Sequence, residues 1–526
     1  MKTYLVIFTG IFFGLFYFTF QLYLISNYLD IDVANYYLEI KEGYLFHPHH
    51  LFYNFTGWIF IEITKGFLNL TDFLKLKILN ILAGSLGSSL LFFIFYKLSK
   101  KLILSFLFFL YFVFSFDYWF YSQINDTAFF TVFSSFLYLS FLFFVYDVFP
   151  NSLISFLLGI ILAIAVGYHQ TNIFLYLIGF FYIIKKNKDT KSKIYNLFFY
   201  TLGAILFISA FYLFAGHFFY GYSLKENTKD FIHKLPKKGN FYDWVFLYGH
   251  WDQSLQWGTF ERDNLGSIIS ESFSNALFYN TINLIYLMQN LTNEITSFKV
   301  EILLYLIFFV SFLLNFIVSL LIIVIKRNVL ILGFLSVLVI QLVFFSWWEP
   351  SNKEFWFSPL FILTFLQFLN INELFNSIKV STIRNFIYFL FCYFFFGFVS
   401  LIIAQNSFNF FLPKKQTIYL GHWEDIRDLS YFSLIMDADF KVKFQFQTSK
   451  KELIQQKLNF LKSLRKKLLA TETVYASIYI LHFEQTLLEL SKLVQEEGES
   501  LDLEEYYKEL DLLKNHWEDW LKGNRK

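Results

Sequence analysis

The sequence predicts an all-α polytopic membrane protein, a helix bundle of about eleven spans, on three observations. Hydrophobic residues make up 56% of the 526 positions, charged residues only 16%, and 77 residues are phenylalanine, a balance that excludes an ordinary soluble domain. The apolar runs are long and continuous, without the alternation of a membrane barrel, so they are helices. Lysine and arginine gather in a few short clusters between the runs, as they do at the cytoplasmic ends of membrane spans. A net charge of +2 gives no basis for binding nucleic acid. The single cysteine, Cys392, lies in a late apolar run, so no disulfide framework exists. The Phe, Lys, Asn and Ile bias points to an AT-rich bacterial genome.

The first run, about 4–26, continues too far and lacks the small-residue cleavage site of a removed signal peptide, so it is expected to be a retained span. Further spans are expected near 76–96, 102–117, 127–146, 152–167, 172–185, 196–215, 301–325, 328–346, 357–371 and 385–404. The basic clusters are Lys97, Lys100 and Lys101; Lys185, Lys186, Lys188, Lys191 and Lys193; Lys326 and Arg327; and Lys379 and Arg384. Placing all four in the cytoplasm puts the N-terminus inside and the C-terminus outside an inner (cytoplasmic) membrane. That solution requires the run LFYNFTGWIFIEITKGFL after His50 not to cross. With Glu62 and Lys65 inside it, the run reads as a helix lying on the outer surface, and VANYYLEIKE before it reads the same way. The first outer loop then spans 27–75 and carries two surface helices, and a second large outer segment covers 216–300. Residues 1–404 form the membrane domain. The charged tail 405–526 reads as a small extracytoplasmic helical domain, with Leu487, Leu490 and Val494 at helical spacing.

Under this topology the polar constellations fall on one side and face one outward cavity. Asp30 and Asp32 follow the first span, where a carboxylate is costly unless solvated or used. Either one would suffice as the base that takes a proton from an acceptor hydroxyl, and the bland alternative is a solvated interface acid. His47, His49 and His50 surround Pro48. They suit hydrogen bonding to a phosphate or sugar, with a divalent metal as the minor alternative. In DYWFYSQINDT, which also holds Asp117, Asp126 is either functional or the cap of the next helix. GYHQTN places His169 and Gln170 in a tight outer hairpin. WWEPSNKEFW offers Lys353, with Glu349 nearby, to offset phosphate charge, against the alternative of an interfacial anchor.

These residues together resemble the GT-C superfamily of integral-membrane glycosyltransferases, which includes the protein O-mannosyltransferases and aminoarabinose transferases. The match is Asp32, Tyr36 four residues on, and then HPHHLFY at 47–53. It covers roughly the first 215 residues well and WWEPSNKEFW loosely. Paired histidines stand where a Pro-Gly pair is expected, and Ala128 stands where an aromatic is expected after the second-loop acid Asp126. The resemblance implies inverting transfer of a sugar from a polyprenyl-phosphate donor to an unidentified acceptor on the extracytoplasmic side, without a cofactor or catalytic metal. It implies that Asp32, in preference to Asp30, is the catalytic acid, with Asp126 assisting. The donor would be held by Tyr36, His47, His49, His50, His169, Gln170, Glu349 and Lys353. Two other classes compete: a transporter or flippase of lipid-linked sugars, disfavoured by the absence of an internal repeat, and a non-enzymatic envelope assembly protein using its tail.

Overall fold

The structure is a computed structural model of the chain. It describes residues 2–23, 36–37, 39–41, 43–68, 70, 72–222, 241–246, 298–348 and 353–411, then 458, 487, 490–491, 494–495, 503–508 and 510–512. Among these residues the chain is helical, without strands. Two compact units divide it. One comprises Met1–Ser26, Asn35–Thr64 and Leu76–Gly421; the other comprises Asn27–Ala34, Lys65–Lys75 and His422–Lys526.

Every apolar run expected to span is helical over most of its length. In chain order the helices are α1 (Lys2–Tyr23), α2 (Tyr53–Thr64), α3 (Asp72–Ser99), α4 (Leu102–Val113), α5 (Phe116–Tyr121) and α6 (Thr127–Ser140). They continue as α7 (Ser152–Tyr168), α8 (Tyr176–Lys186), α9 (Thr190–Tyr212), α10 (Phe241–Phe246), α11 (Phe298–Lys326), α12 (Val329–Trp348), α13 (Phe357–Ser377) and α14 (Ser381–Phe411). Helix α6 runs on as a π-helical segment, Phe141–Tyr146, and α9 as another, Leu213–Phe219. Among the described residues, seven stretches are long and apolar enough to cross a bilayer, and three shorter apolar helices accompany them. A polytopic helical membrane protein follows. Helix α2 has 12 residues, roughly 18 Å at 1.5 Å per residue, too short for a core of about 30 Å.

Local chemistry sets several boundaries that hydropathy alone does not. The run 102–117 stops at Val113, because the Ser115 side chain accepts from Tyr118 N–H and opens the separate helix α5. The run 172–185 is not one helix. Its first part is a 3₁₀ turn, Gln170–Leu175, and α8 begins only at Tyr176. Asn172 holds that turn in place: its buried amide donates to Thr131 O (3.1 Å), Ser134 Oγ (3.0 Å) and Ala165 O (2.9 Å), and its oxygen accepts from Ser135 (3.2 Å). A buried amide this fully satisfied stabilises one arrangement of α6 and α7 over all others. The run 196–215 begins earlier than expected, because Asp189 accepts from Ser192 N–H and caps α9.

Helices α7 and α9 pack backbone to backbone. A Cβ on Gly159 would collide with the Tyr200 carbonyl, and one on Gly203 with the Phe156 carbonyl. Between helices in lipid, small residues permit this approach and the dispersion energy that comes with it.

The two ends of the bundle differ in chemistry. At one end Asp147 accepts from Lys186 (2.7 Å), Lys97 (3.1 Å) and Tyr182 (2.6 Å). Lys101 donates to Asn372 (3.0 Å) and Asn376 (2.9 Å), and Lys326 pairs with Glu373 (2.8 Å). All four basic clusters therefore contribute to one end, Arg384 through its field on Lys101. Partial burial acts to raise the Asp147 carboxyl, but its bonds with Lys186, Tyr182 and Lys97 outweigh it and hold the group at about 2. The other end of the same transmembrane rod, α6 with its π segment, starts at Asp126. At the helical rise, the 21 positions between Asp126 and Asp147 correspond to roughly 30 Å.

In the second unit Leu458, Leu487, Leu490 and Val494 are helical and buried, as the spacing in the tail predicts. Lys508 and Glu504 form an i,i+4 pair there at 2.9 Å.

Candidate functional site

Four histidines from two loops meet at the Asp126 end. The loop 44–52 is held by backbone bonds, His50 N–H to His47 O (3.1 Å), Tyr53 N–H to His50 O (3.1 Å) and Phe52 N–H to Gly167 O (2.9 Å). The Pro48 carbonyl accepts from both Gln170 Nε2 (3.0 Å) and Tyr212 Oη (2.8 Å). These bonds tie the histidine loop to the turn after α7 and to the end of α9. A Cβ at Gly167 would run into the Phe52 ring, so glycine there permits the close approach of the two loops.

The result is a cluster of imidazoles. The His47 and His50 ring centroids lie 5.4 Å apart and nearly parallel, His47 and His49 are 5.3 Å apart, and His50 and His169 are 4.9 Å apart. Tyr36 stands edge-on to His50 at 5.8 Å, and its hydroxyl lies 3.4 Å from Thr127 Oγ1. His169 Nδ1 accepts from Thr171 N–H (3.2 Å) and lies 2.6 Å from the Thr171 hydroxyl. Accepting at Nδ1 leaves the ring proton on Nε2. His169 thus caps the 3₁₀ turn with one nitrogen and keeps the other as a donor.

Burial governs the charge of His50 and His169. It pushes His50 well below the ordinary imidazole range, helped by the fields of His169, His47 and His49. Burial also lowers His169 to about 4. Both rings are neutral at pH 7, so they supply N–H donors and lone pairs but no standing positive charge. Among the described residues, no three of His, Cys, Asp and Glu converge as a metal site would require.

Asp126 lies beside the cluster, one residue before Thr127, and its carboxylate accepts from Ala128 N–H at 2.9 Å as the cap of α6. The turn before it is pinned from α3, where Asn80 donates to the carbonyls of Ile124 and Asp126. Helix α1 reaches the same turn through Gln21, which accepts from Gln123, and through Tyr17, whose hydroxyl lies 2.9 Å from Ser122 Oγ. Asp117, on α5, is buried with one carboxyl oxygen lacking a hydrogen bond, and burial raises it well above the usual carboxylate range.

The segment 353–358 arrives from the opposite side. Lys353–Trp356 form a 3₁₀ turn, and the Phe355 ring lies 6.2 Å from His169. Ala128, Thr131, His169, Thr171, Phe345, Phe355 and Ser358 line a narrow cavity of about 10 Å³ between these elements, room for about one water molecule. Of the residues singled out in the sequence, the structure gathers Tyr36, His47, His49, His50, Asp126, His169 and Gln170. Gln170 spends its amide donor on the Pro48 carbonyl. Asp30, Asp32 and Glu349 lie outside the described residues, as does the Lys353 side chain, although the Lys353 backbone belongs to the described turn.

An aromatic cluster behind the histidine loop was not assigned from sequence. Leu45, Phe46, Tyr212, Tyr222 and Trp244 pack together. Phe46 N–H donates to Tyr220 Oη (2.8 Å), and Trp244 Nε1 donates to Tyr44 Oη (3.3 Å). The only sequence signal was the richness of 216–250 in Tyr, Trp and Phe; which loop those rings support is a tertiary matter.

No family model matches the sequence, and no curated protein matches it. Among solved structures, the chain is similar to the oligosaccharyltransferase of Archaeoglobus fulgidus in its apo form, at 12% identity and a TM-score of 0.44. The alignment covers 84% of this chain and spans 60% of the length of that one. A likeness at this level carries no argument about the site, which rests on its own residues.

Proposed function

We propose that this chain is a membrane glycosyltransferase of the GT-C type, moving a sugar from a polyprenyl-phosphate donor to an acceptor on the extracytoplasmic side with inversion. The observation that carries this reading is the convergence of the histidine loop, the Asp126 turn, the His169 turn and the 353–358 segment at the end of the bundle away from the basic turns. Transfer from a phosphate needs a base for the incoming hydroxyl and donors for the leaving phosphate. Asp32 is the proposed base, with Asp126, and less directly Asp30, assisting at the acceptor. The neutral imidazoles of His50 and His169, together with His47 and His49, are proposed to donate to phosphate oxygens. Tyr36 and Gln170 would shape the wall, and Lys353 would supply the standing positive charge that His50 and His169 lack, with Glu349 four positions before it in sequence. No cofactor is invoked, and the acceptor is left open among protein, lipid and glycan.

The test is glycan and glycolipid profiling of cells carrying Asp32→Asn, with membrane abundance matched to the wild type. Loss of an envelope sugar with accumulation of its lipid-linked donor is expected, and would name the sugar. An unchanged profile at equal abundance would overturn the assignment and return the transporter and assembly readings.

A further inference from the structure

A cavity of about 390 Å³ lies between the α6 rod and α7, running from Ser134 and Ala165, which anchor the Asn172 turn, to Val145 near the basic end. Leu137, Phe141, Phe144 and Val145 line one side, and Ile161 and Ile164 the other. The volume is more than twice the roughly 150 Å³ of an engineered core cavity that admits benzene. A void of this size inside a span forfeits the dispersion contacts of its whole lining unless something fills it. Leu137 and Phe144 are 38% and 37% exposed, so the slot opens sideways toward lipid. Its length is set by the positions it follows: from Ser134 to Val145 the rod rises roughly 16 Å, about half of a bilayer core of about 30 Å. That is the depth of one leaflet. The π-helical segment Phe141–Tyr146 forms part of the wall, and such bulges widen a helix and recur at functional positions.

The slot ends where the charge changes. Lys97 Nζ lies 6.0 Å from the centre of the Phe144 ring, and Lys97 and Lys186 share the single carboxylate of Asp147. Two ammonium groups against one carboxylate leave a surplus positive charge at the mouth, with Lys185 and Lys100 exposed nearby in sequence. The geometry points to an anionic phospholipid of the bilayer as the occupant, one acyl chain in the slot and its phosphate against Lys97 and Lys186. This site is independent of the transfer chemistry proposed above.

The test uses the full chain in detergent, stripped of lipid and titrated with phosphatidylglycerol or phosphatidylcholine of identical acyl chains, with bound lipid counted by native mass spectrometry. One phosphatidylglycerol per chain is expected, bound at least fivefold more tightly than phosphatidylcholine. Ser140→Phe, which fills the slot, should cut binding of both lipids about tenfold. Lys97→Gln with Lys186→Gln should erase the headgroup preference and leave phosphatidylcholine binding in place. Equal binding of the two lipids by the wild-type chain would overturn the proposal without recourse to any variant. Unchanged phosphatidylglycerol binding in Ser140→Phe, with loss of binding to a polyprenyl phosphate, would assign the slot to an isoprenoid instead.

Discussion

Burial of His50 and His169 keeps both rings neutral. An anion placed beside them favours the protonated rings, so binding of a phosphate should draw protons in. The sign is fixed by the direction of the shifts. The folded imidazoles lie below the ordinary value of 6.5, and His169 is at about 4. Stability from keeping the rings neutral is therefore present above pH 6.5 and is lost as pH falls toward 4, while phosphate affinity rises over the same interval. A short-chain polyprenyl phosphate should bind more tightly at pH 5 than at pH 7, read by calorimetry. The phosphate's own second ionisation, near pH 6, works in the opposite direction, so the comparison is with His169→Asn. Asparagine can still accept from Thr171 N–H and keep the cap, yet it should flatten the pH slope. An identical slope in the variant would remove His169 from phosphate binding. At this scale the sequence showed which side chains were unusual for their surroundings. It did not show that Gln170 would be engaged by Pro48, because that bond joins positions 122 residues apart.

Element positions were legible where hydropathy decides them and less so where a side chain decides them. Ser115, Asp126, Asn151 and Asp189 each accept a backbone N–H at a helix start. Two of these caps account for helices that begin apart from the hydropathy edge. The α7–α9 contact depends on two glycines that looked ordinary in an apolar sequence. Gly159→Ile or Gly203→Ile places a branched side chain against a facing carbonyl. It should cost about 3 kcal/mol by overpacking, seen as a lowered melting temperature in detergent. A Cβ on Gly397 would meet nothing within 4 Å, so Gly397→Ile should leave melting unchanged. Equal melting of all three variants would show that the two helices do not meet as described.

For the whole molecule, the basic turns and the histidine loops occupy opposite ends of the same rods, and charge placement predicts which end faces the cytoplasm. Single cysteines in a Cys392→Ser background test this directly. Glu62→Cys, at an exposed position of α2, should react with a membrane-impermeant maleimide in intact cells. Lys188→Cys, on the exposed turn before α9, should react only after lysis. The reverse pattern would invert the protein in the membrane and place the site in the cytoplasm.

The sequence by itself determined the class of molecule, the position of nearly every helix and the sidedness expected of its charges. Each follows from local quantities: the run length needed to satisfy backbone groups in hydrocarbon, and the cost of moving lysine and arginine across it. Only the tertiary structure decided that His169 joins the histidines 119 to 122 positions earlier, that one carboxylate binds two lysines from different turns, and that α6 and α7 part to leave a slot. Those outcomes depend on which helix faces which. In a bundle whose lipid-facing and core-facing residues are equally apolar, packing rather than composition carries that information.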